Sequence, residues 1–316
     1  MRVVIIGGSG HIGTYLVPML VNAGHEVLNV TRGKREPYLP HKAWERVRHI
    51  IADRDAEDEA GTFGGRIRDL KPDVVIDLIC FTLESNQQIV DALQGHVQHF
   101  LHCGTVWAHG HTTTAPVTED MPREPFGDYG IQKEQIERDL LEQARRHRFP
   151  VTVLMPGHIV GPGYVPLNPA GHFNPETYAQ IMRGEELCLP NFGLETVHHV
   201  HAHDVAQAFF KAMTNWNTSI GENFHVVSPQ AISLRGYAEA MFRWFGHEPR
   251  ISYLGWDAWK QTVSEQEAGA TYDHIAHSPN ASIEKARRLI EYNPRYTSLQ
   301  AVQEAVLWLI DHEKIG

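Results

Sequence analysis

Apolar residues gather in short unbroken runs through the first half of this chain, and the stretches between the runs carry apolar residues at helical spacing. Val3-Val4-Ile5-Ile6 is the first run, and consecutive Val and Ile residues suit a parallel strand buried on both faces. It empties into GGSGHIG, Gly7 to Gly13, after which Ile12, Leu16, Met19, Leu20 and Ala23 return at the period of a helix. Pro18 lies inside that helix and is expected to remove one hydrogen bond and bend it. Glu26 to Val30 predicts a second strand and His49-Ile50-Ile51 a third. Lys71-Pro72-Asp73 stops a helix before a strand from Val74 to Cys80; His99 to Cys103 and Val151 to Met155 predict two more. This alternation predicts an α/β fold with a doubly wound parallel sheet. Beyond Met155 the character changes, with Pro156, Gly157, Gly161, Pro162, Gly163, Pro166, Pro169, Gly171 and Pro175 crowded together. A smaller, loop-rich C-terminal lobe is expected there. The late run Phe224 to Val227 predicts one return to the sheet. The expected division is a sheet domain over 1–155 with a returning segment near 197–230, and a substrate lobe over 156–196 and 231–316.

The turn after the first strand carries the first chemistry. A Cβ in such a turn would obstruct positive φ angles or the close approach of backbone to a pyrophosphate, and the following helix offers free N–H groups and its positive dipole end to that anion. Gly7, Gly10, His11, Ile12 and Gly13 are therefore candidate cofactor contacts in a Rossmann-type dinucleotide site. Leu78, Ile79 and Cys80 close a strand running toward the same place, and Pro156 closes another. Arg32, supported by Lys34 or Arg35, stands where an acidic residue would accept the ribose hydroxyls of NAD, and Arg there suits the 2′-phosphate of NADP. NADP is the expected cofactor, with NAD possible. Asp53 is placed either to cap the following turn or to accept from the adenine amino group.

Composition narrows the partners. The formal net charge is −10 with histidine neutral, which argues against a nucleic-acid surface of clustered Lys and Arg. No apolar stretch approaches the roughly 18 residues that span a bilayer. The chain opens on a strand rather than a signal peptide, so a cytoplasmic protein is expected. Cys80, Cys103 and Cys188 are too few and too scattered for a disulfide framework. The unusual number is 21 histidines.

Tyr129-Gly130-Ile131-Gln132-Lys133 places Tyr and Lys one helical turn apart on one face. A phenol titrates near pH 10 and is a poor acid or base near neutrality, and a neighbouring ammonium is expected to bring Tyr129 toward the working range. With GGSGHIG, TVWAHG at Thr105 to Gly110, PGHIVGPG at Pro156 to Gly163, HVHAHDVA at His199 to Ala206 and the tail from Ser282 to Leu299, the chain resembles the extended short-chain dehydrogenase/reductases, the family of NAD-dependent nucleotide-sugar epimerases and dehydratases. The resemblance runs over nearly the whole chain. It implies that Thr105 polarises a substrate carbonyl, Tyr129 passes the proton, and Lys133 also holds the nicotinamide ribose. Cys103 shares the strand face with Thr105, but a thiol is the weaker donor and Thr105 is preferred. A homodimer is implied by the resemblance alone.

Three departures from that family shape the expected function. Val106-Trp107 follow Thr105 where dehydratases place carboxylates, which disfavours elimination. His109 stands for the usual Tyr, and His158 for a substrate-facing Asn. Nucleotide-sugar enzymes of the family use an Arg near Glu195 to His198 and another near Tyr272 to His277, and neither segment has one. A diphosphate would lose much of its binding there, so a smaller carbohydrate-like substrate is expected. His109, His158, His172 and His198 are candidates for a polar substrate pocket with Phe81, Trp107, Tyr164 and Phe173 as apolar walls, and each histidine reads as well as a packed or surface side chain. His199, His201 and His203 would share one face of an extended strand and could bind a metal. The family pattern accounts for them without metal, with Asp204 as N-cap of a helix over Val205 to Met213.

The expected activity is NAD(P)-dependent hydride transfer at a secondary hydroxyl or ketone of a sugar-like molecule, as net redox or as epimerisation. One alternative is a nucleotide-sugar 4-epimerase with tightly held NAD. The other is a non-catalytic NADP-sensing or RNA-binding relative.

Overall fold

A computed structural model describes residues 1–315. Strands β1 (Arg2–Ile6), β2 (Glu26–Thr31), β3 (Arg48–Ile51), β4 (Val74–Asp77), β5 (His99–Cys103) and β6 (Val151–Pro156) form one sheet with the returning strand Asn223–Val226. Across the sheet the order is Asn223–Val226, β6, β5, β4, β1, β2, β3, and every neighbouring pair is parallel. The apolar runs are buried along their length in β1, β4, β5 and β6, as two-sided burial requires. Helix α1 (His11–Asn22) continues through Pro18. It packs on the helix Ala202–Thr214, while Leu83–Leu93 packs on Gly127–His147.

The strand order reverses between β1 and β4, and at such a switch point the loops leave in opposite directions and open a crevice at the carboxyl ends of the strands. Register aligns those ends. Ile6 pairs with Val30 and with Asp77, and Asp77 pairs with His102. Gly7, Thr31, Leu78 and Cys103 therefore leave the sheet along one edge.

A second core, drawn from residues between Val160 and Ile315, includes Tyr178, Tyr237, Phe242 and Trp259. Three two-stranded ribbons frame it: His158–Val160 with His199–His201, Thr196–Val197 with Ile232–Ser233, and Leu187–Pro190 with Ile251–Leu254. The segment of alternating histidines differs from expectation. The strand stops at His201, and the next helix spans Ala202–Thr214, so His203 is helical and shares no strand face with His199 and His201. His201 rather than Asp204 caps that helix, its ring accepting from the His203 N–H, and Asp204 instead accepts from the backbone of Tyr296. A side chain at the first position of a helix reaches its free N–H groups most easily, which His201 does here. Among the described residues no three His, Cys, Asp or Glu side chains gather as a metal site, and no helix is long and apolar enough to cross a membrane.

Many of the histidines are interior. His99 on β5 bonds Thr152 at 2.8 Å, whereas His102, also on β5, has no partner for either ring nitrogen. Burial lowers the pKa of His99 to about 4, of His198 to about 4 and of His199 to about 3, and it holds His102 well below the usual range. As pH falls, the unfolded chain takes up protons near 6.5 while these folded-state rings stay neutral. The stability they carry is complete above about pH 6.5 and is lost progressively toward pH 4. Urea unfolding at pH 7.5 and pH 5.0 should give a clearly lower midpoint at pH 5.0, and equal midpoints would contradict the burial of these rings.

Candidate active site

The glycine turn is shaped by close approach. Gly7 has φ +86°, and a Cβ there would press within 2.6 Å of Ile79 Cγ2. A Cβ on Gly13 would overlap the Gly8 carbonyl, so helix and strand can pack this closely only without one. Gly10 caps α1 without a side-chain hydrogen bond. The N–H groups of His11, Ile12 and Gly13 lie in the first turn, where a helix leaves its donors unpaired. The Ile12 side chain is buried in the core, so it can serve an anion only through its backbone.

A cavity of about 280 Å³ opens on this turn, lined by Gly7, Ser9, Gly10, Arg32, Lys34, Arg35, Asp53, Ile79 and Phe81 among others. The residues fit a dinucleotide: free N–H groups and the glycine cradle for the pyrophosphate, basic side chains at the end of β2, and a carboxylate at the end of β3. Asp53 occupies the N-cap position of the helix Arg54–Glu59 but makes no side-chain capping bond, which leaves its carboxylate free to face the cavity. Leu78 donates to the Ile6 carbonyl, Ile79 packs against Gly7, and Pro156 closes β6 at the same edge.

Arg54, which lines the same cavity, carries no signal of its own in the sequence. The residue is 5 % exposed and its Nη1 donates to both carboxylate oxygens of Asp77 at 2.8 Å, while Nε donates to Ser85 at 2.9 Å. Burial works against the charge, but Asp77, Cys80 and Asp58 outweigh it and raise the Arg54 pKa. Asp77 also accepts from the Ile79 N–H at 3.1 Å, so this pair fixes the loop that leaves β4.

Thr105, Tyr129 and Lys133 come together beside that loop. Thr105 is buried at the end of β5, and its Oγ1 accepts the Trp107 N–H at 3.2 Å, leaving its hydroxyl hydrogen free to donate. Lys133 is 2 % exposed and donates to the carbonyls of Cys80 and Cys103, at 2.7 Å each. Its ammonium is 5.9 Å from the centre of the Tyr129 ring and 5.0 Å from that of Phe81. The expected lowering of the Tyr129 pKa is not found. Tyr129 is 43 % exposed, but desolvation by the protein packed around it, and Cys103 next to it, push the phenol up to about 12, and the Thr105 hydroxyl offsets only part of this. The ammonium is spent on the two carbonyls, and burial lowers its own pKa. Burial also pushes the Cys80 and Cys103 thiols up to about 11, which suits packing and not nucleophilic attack.

The candidate substrate residues divide. Trp107 stands edge-on to Tyr129 at 6.0 Å and stacks on His277 at 4.2 Å. His158 lies 5.3 Å from Phe173 and 5.6 Å from His274. Phe81 is 54 % exposed beside Tyr129 and the cavity. Tyr164 lies elsewhere than expected: it stacks on His11 at 4.6 Å and its hydroxyl accepts from Arg35, which places it over the glycine turn. His109 and His198 do not line a pocket. His109 Nε2 lies 2.8 Å from His225 Nε2, and since His225 Nδ1 must donate to the Ser282 carbonyl, His109 is the donor of that pair. His198 donates to the Ser228 carbonyl and accepts from the Ala281 N–H, so both its nitrogens are used structurally. His172 is likewise buried, held by Asn168 and Asn174. His274, absent from the expected set, stands 5.0 Å from Trp107.

The profile of the NAD dependent epimerase/dehydratase family matches residues 3–226. The chain belongs to that family. The chain is accordingly an enzyme of the oxidoreductase and epimerase class. It is 34 % identical over 137 residues to the 2'-dehydrokanamycin reductase of Streptomyces kanamyceticus, a match covering 43 % of this chain and 37 % of that one. It is 23 % identical to the chloroplast stem-loop binding protein of 41 kDa b of Arabidopsis thaliana over 96 % of this chain and 78 % of that protein. The fold matches UDP-glucuronic acid 4-epimerase of Bacillus cereus, solved with UDP-glucuronic acid and NAD, with a TM-score of 0.74 and 18 % identity, covering 99 % of this chain and all of that one.

The Arg54–Asp77 pair makes a direct demand on stability. Asp77→Asn leaves a buried guanidinium without its counter-charge and should cost about 3–5 kcal/mol, measured as a shift in the urea midpoint. A loss below about 1 kcal/mol would mean the pair is not the anchor of the β4 loop.

Proposed function

We propose that this epimerase/dehydratase family member is an NADP(H)-preferring oxidoreductase that transfers hydride at a secondary hydroxyl or ketone of a carbohydrate-like substrate lacking a nucleoside diphosphate. The observation that carries the reading is the convergence of Thr105, Tyr129 and Lys133 beside the glycine cleft. When bound, the nicotinamide supplies or accepts the hydride. Thr105, whose hydroxyl also meets Tyr129, turns its hydrogen to the substrate oxygen. Tyr129, its pKa pushed up to about 12, keeps its proton at neutral pH and hands it to the oxygen as negative charge develops there, which suits reduction of a ketone. Lys133, with two of its three hydrogens on the Cys80 and Cys103 carbonyls, keeps the third to orient the ribose. Arg32, Lys34 and Arg35 around the cleft support the 2′-phosphate of NADP over the diol of NAD.

The substrate reading rests on the second lobe. The two segments in which nucleotide-sugar enzymes would carry arginines come together where Thr196 meets Ser278, the residue after the second segment: their hydroxyls are 3.0 Å apart and the Thr196 N–H donates to Ser278 at 2.9 Å. Hydroxyls that are satisfied by each other offer a diphosphate no bidentate charge. The name of the Streptomyces kanamyceticus relative, 2'-dehydrokanamycin reductase, supports a reductase. A nucleotide-sugar 4-epimerase is the second reading, favoured by the fold match above. The homodimer is part of the proposal, formed through Leu83–Leu93 and Gly127–His147, which lie side by side.

Calorimetry of the nucleotide-stripped protein with NADP and NAD should give tighter NADP binding, and Arg32→Ala should weaken NADP by roughly tenfold or more while leaving NAD nearly unchanged. Tightly retained NAD in the purified protein would instead support the epimerase. With NADPH and a panel of keto sugars, Tyr129→Phe should lower turnover by about two to four orders of magnitude with cofactor affinity intact; unchanged turnover refutes the role given to Tyr129.

A further inference from the structure

We infer that His274, with His158 beside it, forms a hydrogen-bond-accepting wall that recognises a donor-rich ring, a free or amino-substituted sugar without a phosphoryl group. The inference rests on the reading of Tyr129 as the reacting end of the site.

The rings form a connected surface. His274, in the helix Glu265–His277, stands 5.0 Å from Trp107, and Trp107 stands 6.0 Å from Tyr129. On its other side His274 is 5.5 Å from Phe173 and 5.6 Å from His158, and those two are 5.3 Å apart. A substrate oxygen held at Tyr129 therefore has this imidazole and phenyl surface on the far side of Trp107, two ring contacts away. Phe173 is 41 % exposed and opens the edge of this surface to solvent, while His274 lies behind it at 7 % exposure.

The backbone decides what His274 can offer. Its Nδ1 lies 2.6 Å from the carbonyl oxygen of Ala270, one turn earlier. A carbonyl only accepts, so Nδ1 carries the hydrogen. Burial lowers the His274 pKa to about 4, so the ring is neutral at pH 7 and Nε2 bears a lone pair. Among the described residues Nε2 has no hydrogen-bond partner. The nitrogens of His158 have none either, and burial with His199, His274 and His11 nearby keeps that ring uncharged. The fixed acceptor of His274 binds hydroxyl or ammonium hydrogens, and the uncharged His158 ring, with one nitrogen donating and one accepting, pairs with a hydroxyl and supplies no positive charge. A phosphoryl oxygen is itself an acceptor and would meet a lone pair, in a chain whose net charge is −10. His277, one turn on, is held in the same way by the Asp273 carbonyl at 2.6 Å, but its Nε2 is enclosed, and its ring is stacked between Trp107 and Phe126. It braces the wall, and His274 is the reader.

The test uses the full chain saturated with NADPH, with uptake of NADPH measured first by calorimetry; failure at that step would count against the dinucleotide reading and not against this one. Ligand-observed NMR titrations then compare glucosamine, glucose, glucose 1-phosphate and UDP-glucose. Glucosamine and glucose should bind at least about tenfold more tightly than the two phosphorylated probes. His274→Phe keeps a ring and removes the acceptor, and should weaken glucosamine about tenfold, whereas His274→Gln restores an acceptor oxygen and should recover most of the loss, with NADPH affinity the same in both. Tighter binding of UDP-glucose, glucosamine binding unmoved by His274→Phe, or no binding of any of the four overturns the inference. Should His274→Phe fail to fold, the ranking of the four probes and the His274→Gln variant decide it.

Discussion

The structure depends on one close approach: the turn from Gly7 to Gly13 brings backbone against backbone at the carboxyl edge of the sheet. Gly13 must lie against the Gly8 carbonyl, and Gly7 against Ile79, before α1 can aim its unpaired N–H groups into the crevice. The reversal of strand order between β1 and β4 puts that crevice where it is. Everything chemical lies along the same edge because parallel register delivers Gly7, Thr31, Leu78 and Cys103 there together.

Lys133 and Arg54 hold the edge in shape from two sides. Lys133 ties the loops after β4 and β5 to the Tyr129 helix through the Cys80 and Cys103 carbonyls. Arg54 ties the helix after β3 to Asp77, whose carboxylate also holds the Ile79 N–H. Buried charges are costly unless paired and hydrogen-bonded, so each restricts the loop to one arrangement. The geometry that binds the ammonium to the carbonyls also explains why it does little to the phenol of Tyr129, which burial keeps protonated.

The second lobe works by a different chemistry. Its buried histidines are stacked or clamped by backbone carbonyls, and those carbonyls set their tautomers, as with His274 at Ala270; on the returning strand of the sheet His225 is set in the same way by Ser282. The same burial makes the fold sensitive to acid, since each ring that stays neutral inside would gain a proton outside.

The strands of the sheet, the glycine turn, Arg32 and Asp53 at the ends of their strands, and Tyr129 with Lys133 one helical turn apart were all legible in the sequence by itself. These features are local: apolar runs, turn chemistry and the i to i+4 spacing act between residues that are near in the chain, and they survive whatever the rest of the fold does. The direction of His109, the roles of His198 and His274, the seat of Tyr164 and the Arg54–Asp77 pair were decided only by the tertiary structure. His109 meets His225 across 116 positions of chain, and His198 meets Ala281 across 83. A histidine can be a pocket wall, a cap or a sheet tie with the same neighbours in sequence, and which one it becomes depends on the carbonyl or ring that packing brings to its nitrogens. The helices of the lobe after Pro156, such as Glu265–His277 and Ser298–Asp311, carry no sign in their own sequence of what they pack against, so its contacts are set by burial and not by any pattern a short window of residues contains.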